Sequence, residues 1–206
     1  MSLREQKKAE TRTALGRAAA GLILNEGQAA ATVSAVAKSA RVSTRTFHNY
    51  FGSVEDALVH FVNEQFQRYL DVAVQRIKQG DTVMEALEYV VLECPEGRED
   101  PISSYQSAVA ICSQLPEAEA ILGTLCNNLV VRTLRDAIPE FSPTEEESAM
   151  VAIVSTTIAN VTLGWRNGKE QLESPDTTLE DAYRLLFRAL KRGASDMPSL
   201  NTKLGG

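Results

Sequence analysis

Apolar side chains recur three and four positions apart along almost the whole chain, and runs of strict alternation are nearly absent. That periodicity predicts an all-α protein of about nine helices. The first runs from Arg4 to Asn25 with Leu15, Ala18, Ala19, Leu22 and Ile23 on one face. Gly27 stands just beyond its end, where a left-handed cap favours glycine. Two short helices follow, Thr32 to Ser39 and Ser43 to Tyr50. Ser53-Val54-Glu55-Asp56 then sets a hydroxyl three residues before a carboxylate, a capping box that opens a long helix ending near Gln79 at the break Gly80-Asp81.

The second half continues in the same way. A helix from Thr82 to Glu93 ends at the loop Cys94 to Asp100, and Pro101 and Pro116 take first-turn positions for helices Pro101 to Ser113 and Pro116 to Ile138. Ser142-Pro143-Thr144-Glu145 combines a cap, a first-turn proline and a box carboxylate. The helix it opens carries no charge from Ser148 through Trp165, so a membrane span has to be weighed. Ser148, Ser155, Thr156, Thr157, Asn160 and Thr162 would bring polar groups into hydrocarbon, and a helix buried among other helices is expected instead. A last amphipathic helix starts at the box Thr177-Thr178-Leu179-Glu180 and ends at Gly193, with Leu179, Ala182, Tyr183, Leu186, Phe187 and Leu190 in one stripe.

Two short helices separated by three residues have the layout of a helix-turn-helix. Val33, Val36, Ala37, Ala40, Val42 and Phe47 fall where two crossing helices face each other, and Thr32 and Ser43 are suitable caps for the two. Charge adds weight to this reading. The chain has 21 basic and 27 acidic residues, a net charge of -6, yet residues 1–52 carry eight basic side chains against three acidic ones, leaving 13 and 24 for the remainder. A polyanion is attracted to the first quarter and repelled by the rest.

Composition narrows the class further. At 206 residues and 22.5 kDa the chain can bury a core without covalent staples. Its three cysteines, Cys94, Cys112 and Cys126, are odd in number and lack C-x-x-C spacing, as expected of reduced thiols in a cytoplasmic protein. The start, Met1 to Lys8, has no apolar run that would serve as a signal peptide. His48 and His60 are the only histidines, and no Glu-x-x-His, glycine-rich phosphate loop or Gly-x-Ser-x-Gly occurs. Asp56 and His60 share a helical face, but two ligands do not make a metal site. Neither an enzyme nor a cofactor or metal is expected.

The stretch Thr32 to Leu58, TVSAVAKSARVSTRTFHNYFGSVEDAL, together with Asn25-Glu26-Gly27 before it, resembles the tetracycline-repressor (TetR) family of bacterial transcription regulators. In that family the block closes on an aromatic-Phe pair, here Tyr50-Phe51, and a capped fourth helix. Two positions depart from it: Arg41 stands where the turn usually has glycine, and Val54 replaces a lysine that often meets a phosphate. The resemblance implies a three-helix DNA-binding domain over residues 1–52 and a larger effector-binding and dimerisation domain over 53–195, leaving 196–206 as a disordered tail.

A recognition helix enters the major groove with its first residues toward the base edges. Ser43, Thr44, Arg45 and His48 are therefore the candidate base contacts, Arg45 by a bidentate bond to guanine. Thr32, Lys38, Thr46 and Tyr50 are the candidate phosphate contacts. Each has a plainer alternative: Thr32 and Ser43 as caps, Tyr50 as a core edge, Arg45 and Lys38 as a solvated face. Phe47 and Phe51 belong to the core. Homodimerisation is expected through the helices 143–166 and 178–193, because two recognition helices must stand about 34 Å apart to meet successive major grooves. Tyr89, Tyr105, Cys112, Asn128, Asn160 and Trp165 are the candidate lining of an effector pocket. The expected function is a repressor released from a palindromic operator in double-stranded DNA by a small effector. A structural, nucleoid-associated DNA-binding protein without an effector and a thiol-based redox regulator remain as alternatives.

Overall fold

The computed structural model describes residues 2–94, 99–115, 129–168, 178–193 and 197–201, and the regular elements among them are all helical. In chain order they are α1 (Leu3–Glu26), α2 (Val33–Ser39), α3 (Thr44–His48), α4 (Val54–Lys78), α5 (Val83–Leu92), α6 (Tyr105–Cys112), α7 (Val130–Ala137), α8 (Glu145–Gly168), α9 (Leu179–Gly193) and α10 (Pro198–Asn201). Single 3-10 turns at Gln28–Ala30 and Pro101–Ser103 precede α2 and α6. The helix expected from Pro116 to Ile138 lies mostly outside the described residues; its last part is α7.

Almost every start uses one device, a serine or threonine hydroxyl accepting the backbone N–H three residues on. Ser2, Thr32, Ser43, Ser53, Thr82 and Ser104 do this for α1 to α6. In three of them a Glu or Asp at the third helical position returns the bond, closing the box. Two starts fall later than the sequence pattern places them. The cap of α8 is Thr144 with Glu147 as its box residue, rather than Ser142 with Glu145. The cap of α9 is Thr178 with Asp181, while Glu180 instead pairs with Arg184 one turn on. In both cases the sequence offers two hydroxyl-carboxylate registers, and the later one forms the cap. The helix expected from Pro101 likewise begins only at Tyr105, because Pro101–Ser103 forms a tighter turn whose end is capped by Ser104.

A continuous core runs from Leu15, Val36, Phe47 and Phe51 at one end to Val109, Leu134, Val154 and Phe187 at the other. The helix α4 passes through all of it, packing against α1, α5, α6 and α7. At 25 residues and about 1.5 Å per residue it is the longest rod in the fold. It meets α1 closely, since a Cβ built on Gly16 would stand 3.0 Å from the Ala57 carbonyl and 3.3 Å from Phe61 Cβ. On the far side α8 and α9 pack together, with the Thr162 and Tyr183 hydroxyls hydrogen-bonded and burial pushing the Tyr183 phenol up to about 12. Residues 197–201, expected within a disordered tail, form α10 against α5, and Leu200 is fully buried there.

Helix α2 ends in a Schellman turn. The Val42 N–H bonds the Ala37 carbonyl at 2.9 Å and the Arg41 N–H bonds the Lys38 carbonyl at 3.1 Å. Arg41 sits at φ 57°, the left-handed conformation the motif demands and one that glycine adopts without steric cost. This turn aims α3, and Phe47, fully buried, pins it to the core.

Two substitutions should move stability in opposite directions when followed by urea denaturation. Arg41→Gly relieves the left-handed strain and is expected to raise the unfolding free energy by up to about 1 kcal/mol. Gly16→Ala forces α1 away from the Ala57 carbonyl and is expected to lower it by about 1–3 kcal/mol.

Candidate nucleic-acid interface and internal cavity

The helix-turn-helix presents one polar face. Ser43, Thr44, Arg45 and His48 are all exposed on α3, Thr46 and Tyr50 are half-buried beside them, and Thr32 and Lys38 are exposed on the α2 side. The two cap hydroxyls are already engaged. Thr32 Oγ1 accepts the Ala35 N–H at 3.2 Å, and Ser43 Oγ accepts the Thr46 N–H at 3.0 Å while lying 2.8 Å from Thr46 Oγ1. Each hydroxyl keeps remaining hydrogen-bonding capacity for an external partner. Among the described residues neither Arg45 nor Lys38 has an ion-pair partner, so these cations face solvent.

A cavity lies at the other end of α4. Phe66, Tyr69 and Ala73 of α4 form one wall and Val90 of α5 another. Tyr105 of α6, Val130 of α7, and Ser155 and Ile158 of α8 close it. The cavity has a volume of about 40 Å³. The three rings form a triangle, with centroids 6.0 Å apart for Phe66 and Tyr69 and 5.9 Å for the other two pairs.

Of the six expected pocket residues, only Tyr105 is in this lining. Tyr89 lies instead beneath the Arg76 guanidinium, 4.3 Å from ring centroid to Cζ, and Arg76 in turn pairs with Asp81 at 2.6 Å. Cys112 is fully buried in packed core, and Asn160 is exposed on the outer face of α8. Asn128 and the Trp165 side chain lie outside the described residues. Polar-tipped or aromatic residues in buried segments are the expected lining, and Phe66, Tyr69 and Ser155 are of those types, but which face of a buried helix meets a void depends on all its neighbours.

Between the two regions runs a chain of polar contacts that no sequence motif announces. Tyr69, a cavity wall, donates its phenolic O–H to the Ser103 carbonyl at 2.8 Å. The Ser103 hydroxyl donates to Asp100 at 2.6 Å and accepts from Arg17 of α1 at 3.2 Å. Arg17 also meets Asp100 at 2.5 Å. Burial raises the Asp100 carboxyl, but the bonds from Ser103 and Arg17 outweigh it and leave the group below the usual carboxylate range. The cavity wall and α1 are thereby joined through side chains as well as through α4.

A second junction surrounds His60 of α4. Its ring lies 5.5 Å from the Phe51 ring, and Nε2 stands 3.4 Å from Glu64, which also accepts from Thr13 of α1 at 2.8 Å. The Arg12 guanidinium lies over the Phe51 ring, 5.3 Å from its centroid. Desolvation depresses the His60 pKa; Glu64 opposes that and Arg12 adds to it.

Residues 16–59 match the sequence model of bacterial regulatory proteins of the tetR family. Solved structures share the fold across nearly the whole chain. The fatty acid degradation regulator FadR from Bacillus halodurans is 20% identical, with 87% of this chain and 94% of that chain covered at a TM-score of 0.58. FadR from Thermus thermophilus, solved with lauroyl-CoA, is 21% identical, with 88% and 94% covered at 0.57. SmeT, the repressor of the Stenotrophomonas maltophilia multidrug efflux pump SmeDEF, is 15% identical, with 88% and 89% covered at 0.59. No curated protein matches the chain. The resemblance seen in the sequence recurs in both comparisons: residues 16–59 are similar to the tetR-family model, and the all-α fold is shared with these solved structures. Among the described residues no three His, Cys, Asp or Glu side chains are grouped to hold a metal, and no helix is long and apolar enough to cross a membrane.

The depressed His60 makes the junction pH-sensitive. The unfolded imidazole takes up its proton near pH 6.5 and the folded one only at lower pH, so stability is present above that value and falls on acidification. Thermal melts between about pH 7.5 and 5.5 should show a falling Tm for the wild type and a flatter profile for His60→Gln.

Proposed function

We propose that the protein is a homodimeric repressor that binds a palindromic operator and is released from it by a small effector. The observation that carries this reading is the exposed face of α3, where Thr44 and Arg45 follow the cap at Ser43 while Phe47, on the opposite side, anchors the helix. Arg45 reads a guanine edge by a bidentate bond, with Thr44, Ser43 and His48 beside it; Thr32, Lys38, Thr46 and Tyr50 hold phosphates and set the register. The repressor sense is supported by the shared fold with SmeT, named as the repressor of an efflux pump.

A dimer is required because one half-site is too short to specify an operator, and a two-fold protein matches a palindrome. The helices α8 and α9 are the interface in this reading. Both keep large apolar side chains in solvent, Ile153 at 56% and Leu185 at 57% exposure, which a second copy would cover. The cavity at the carboxy-terminal half of α4 is the effector site. Its filling shifts α4 and, through Tyr69 and Ser103, the Arg17 contact on α1, which changes the spacing of the two reading heads. A DNA-associated protein without an effector would have no use for such a cavity. The redox alternative gains no support from Cys94 and Cys112, which are both buried; Cys126 lies outside the described residues.

Selection of the operator from random fragments, followed by titrations at several salt concentrations, tests the DNA face. Arg45→Ala should lose about 1–3 kcal/mol of discrimination at one base pair of each half-site. Lys38→Ala should weaken all sequences alike and reduce the salt slope by about 1. Equal losses on operator and random DNA for both variants would sink the base-reading assignment. Sedimentation of Ile153→Asp with Leu185→Asp should give a monomer that has lost operator affinity but keeps its helical content.

A further inference from the structure

The cavity also limits what the effector is. Its lining is hydrocarbon and aromatic ring, and none of the lining side chains among the described residues is charged. A charged ligand would lose its hydration there without a counter-ion, so the site rejects carboxylates, phosphates and ammonium groups at the depth of the three rings. An uncharged apolar body is accepted, and the edges and faces of Phe66, Tyr69 and Tyr105 offer it flat contact surfaces.

One polar atom in the wall lacks a partner among the described residues. Ser155 is 7% exposed, and its Oγ is buried and makes no hydrogen bond to any of them. The usual escape for a helical hydroxyl is to bond the carbonyl one turn back. Thr157 and Thr162 of the same helix do this with Ile153 and Ile158, but Ser155 does not. Leaving a buried hydroxyl unpaired is unfavourable, and an ordered water in its place needs two to four polar partners. The Tyr69 hydroxyl is committed elsewhere, giving its proton to the Ser103 carbonyl.

We propose that the cavity binds a compact uncharged molecule with an apolar ring or chain and a single hydroxyl or carbonyl, and that this group pairs with Ser155 Oγ. The inference rests on the effector reading above for its regulatory meaning, but binding itself is measurable without DNA. Tyr69 touches the ligand's apolar body and holds Ser103, so occupancy bears directly on the strut to Arg17.

The probes are benzyl alcohol, ethylbenzene, benzoate and benzylamine, which have nearly the same shape and differ in polarity and charge. Ligand-observed NMR and calorimetry on the full-length protein should show the alcohol binding about 3- to 10-fold tighter than ethylbenzene, the range of one net hydrogen bond, and benzoate and benzylamine at least about 100-fold weaker. Ser155→Ala should bring the alcohol-to-ethylbenzene ratio close to one while the protein keeps its melting temperature within a few degrees. Ala73→Phe, which fills the cavity, should abolish binding of both neutral probes. Benzoate or benzylamine binding as well as the alcohol, an unchanged ratio in Ser155→Ala, persistence of binding in a folded Ala73→Phe protein, or no binding by any probe would each overturn the proposal. Saturating alcohol that leaves the operator complex intact would instead count against the effector reading and leave the ligand class standing.

Discussion

One long helix buried along its whole length governs this molecule. The first half of α4 sets Ala57, Leu58 and Phe61 against α1, and its second half sets Phe66, Tyr69, Leu70 and Ala73 against α5, α6 and the cavity. Close packing leaves such a rod no room to bend locally, because interiors behave more like crystals than liquids. In the proposed function, a change at the cavity would reach the amino-terminal helices as a displacement of the rod. The tight approach at Gly16 makes that transmission stiff: α1 and α4 touch through backbone, without a side chain that yields first.

A polar strut works in parallel with the rod. Arg17, Asp100, Ser103 and Tyr69 form a continuous path from α1 to the cavity wall. Its ion pair is partly exposed, with the Arg17 side chain at 43% and Asp100 at 29%, so solvent screening keeps its contribution to stability small, about 0–1 kcal/mol. The geometric role matters more than the energy. Ser103 is nearly buried, and its carbonyl and hydroxyl face different helices, so the 3-10 turn at Pro101–Ser103 cannot shift without disturbing both ends. The crossing of domains near His60 differs in kind, since rings and a desolvated imidazole dominate there and charge enters only through Glu64 and Arg12.

Much of this was legible in residue order because it depends on neighbours in the chain. A Ser or Thr three positions before Glu or Asp marks a helix start whatever surrounds it, and the short helices with Thr32 and Ser43 as caps are found where the pattern puts them. The family resemblance marks Arg41 as standing where the turn usually has glycine, and its φ of 57° is the left-handed conformation that glycine adopts freely. Where two local registers competed, as at Ser142 against Thr144 and Glu180 against Asp181, local rules had no means of choosing. In the structure Thr144 and Thr178 take the caps, and α8 and α9 bury Val151, Val154, Tyr183 and Phe187.

What residue order determined by itself was the helical class, the pair of short capped helices α2 and α3, and the separation of a basic front from an acidic remainder, since periodicity, capping and charge are properties of short segments. What only the tertiary structure decided was where emptiness falls. A cavity exists because five helices fail to fill the space between them, and its polarity depends on which side chains happen to converge there: Ser155 faces it, Asn160 on the same helix faces outward, and Tyr89 is drawn under Arg76 instead. The strut from Arg17 to Ser103 joins positions 86 residues apart. No segment contains that information, because it is set by the sum of long-range packing that brings α1 and α6 to the same flank of α4.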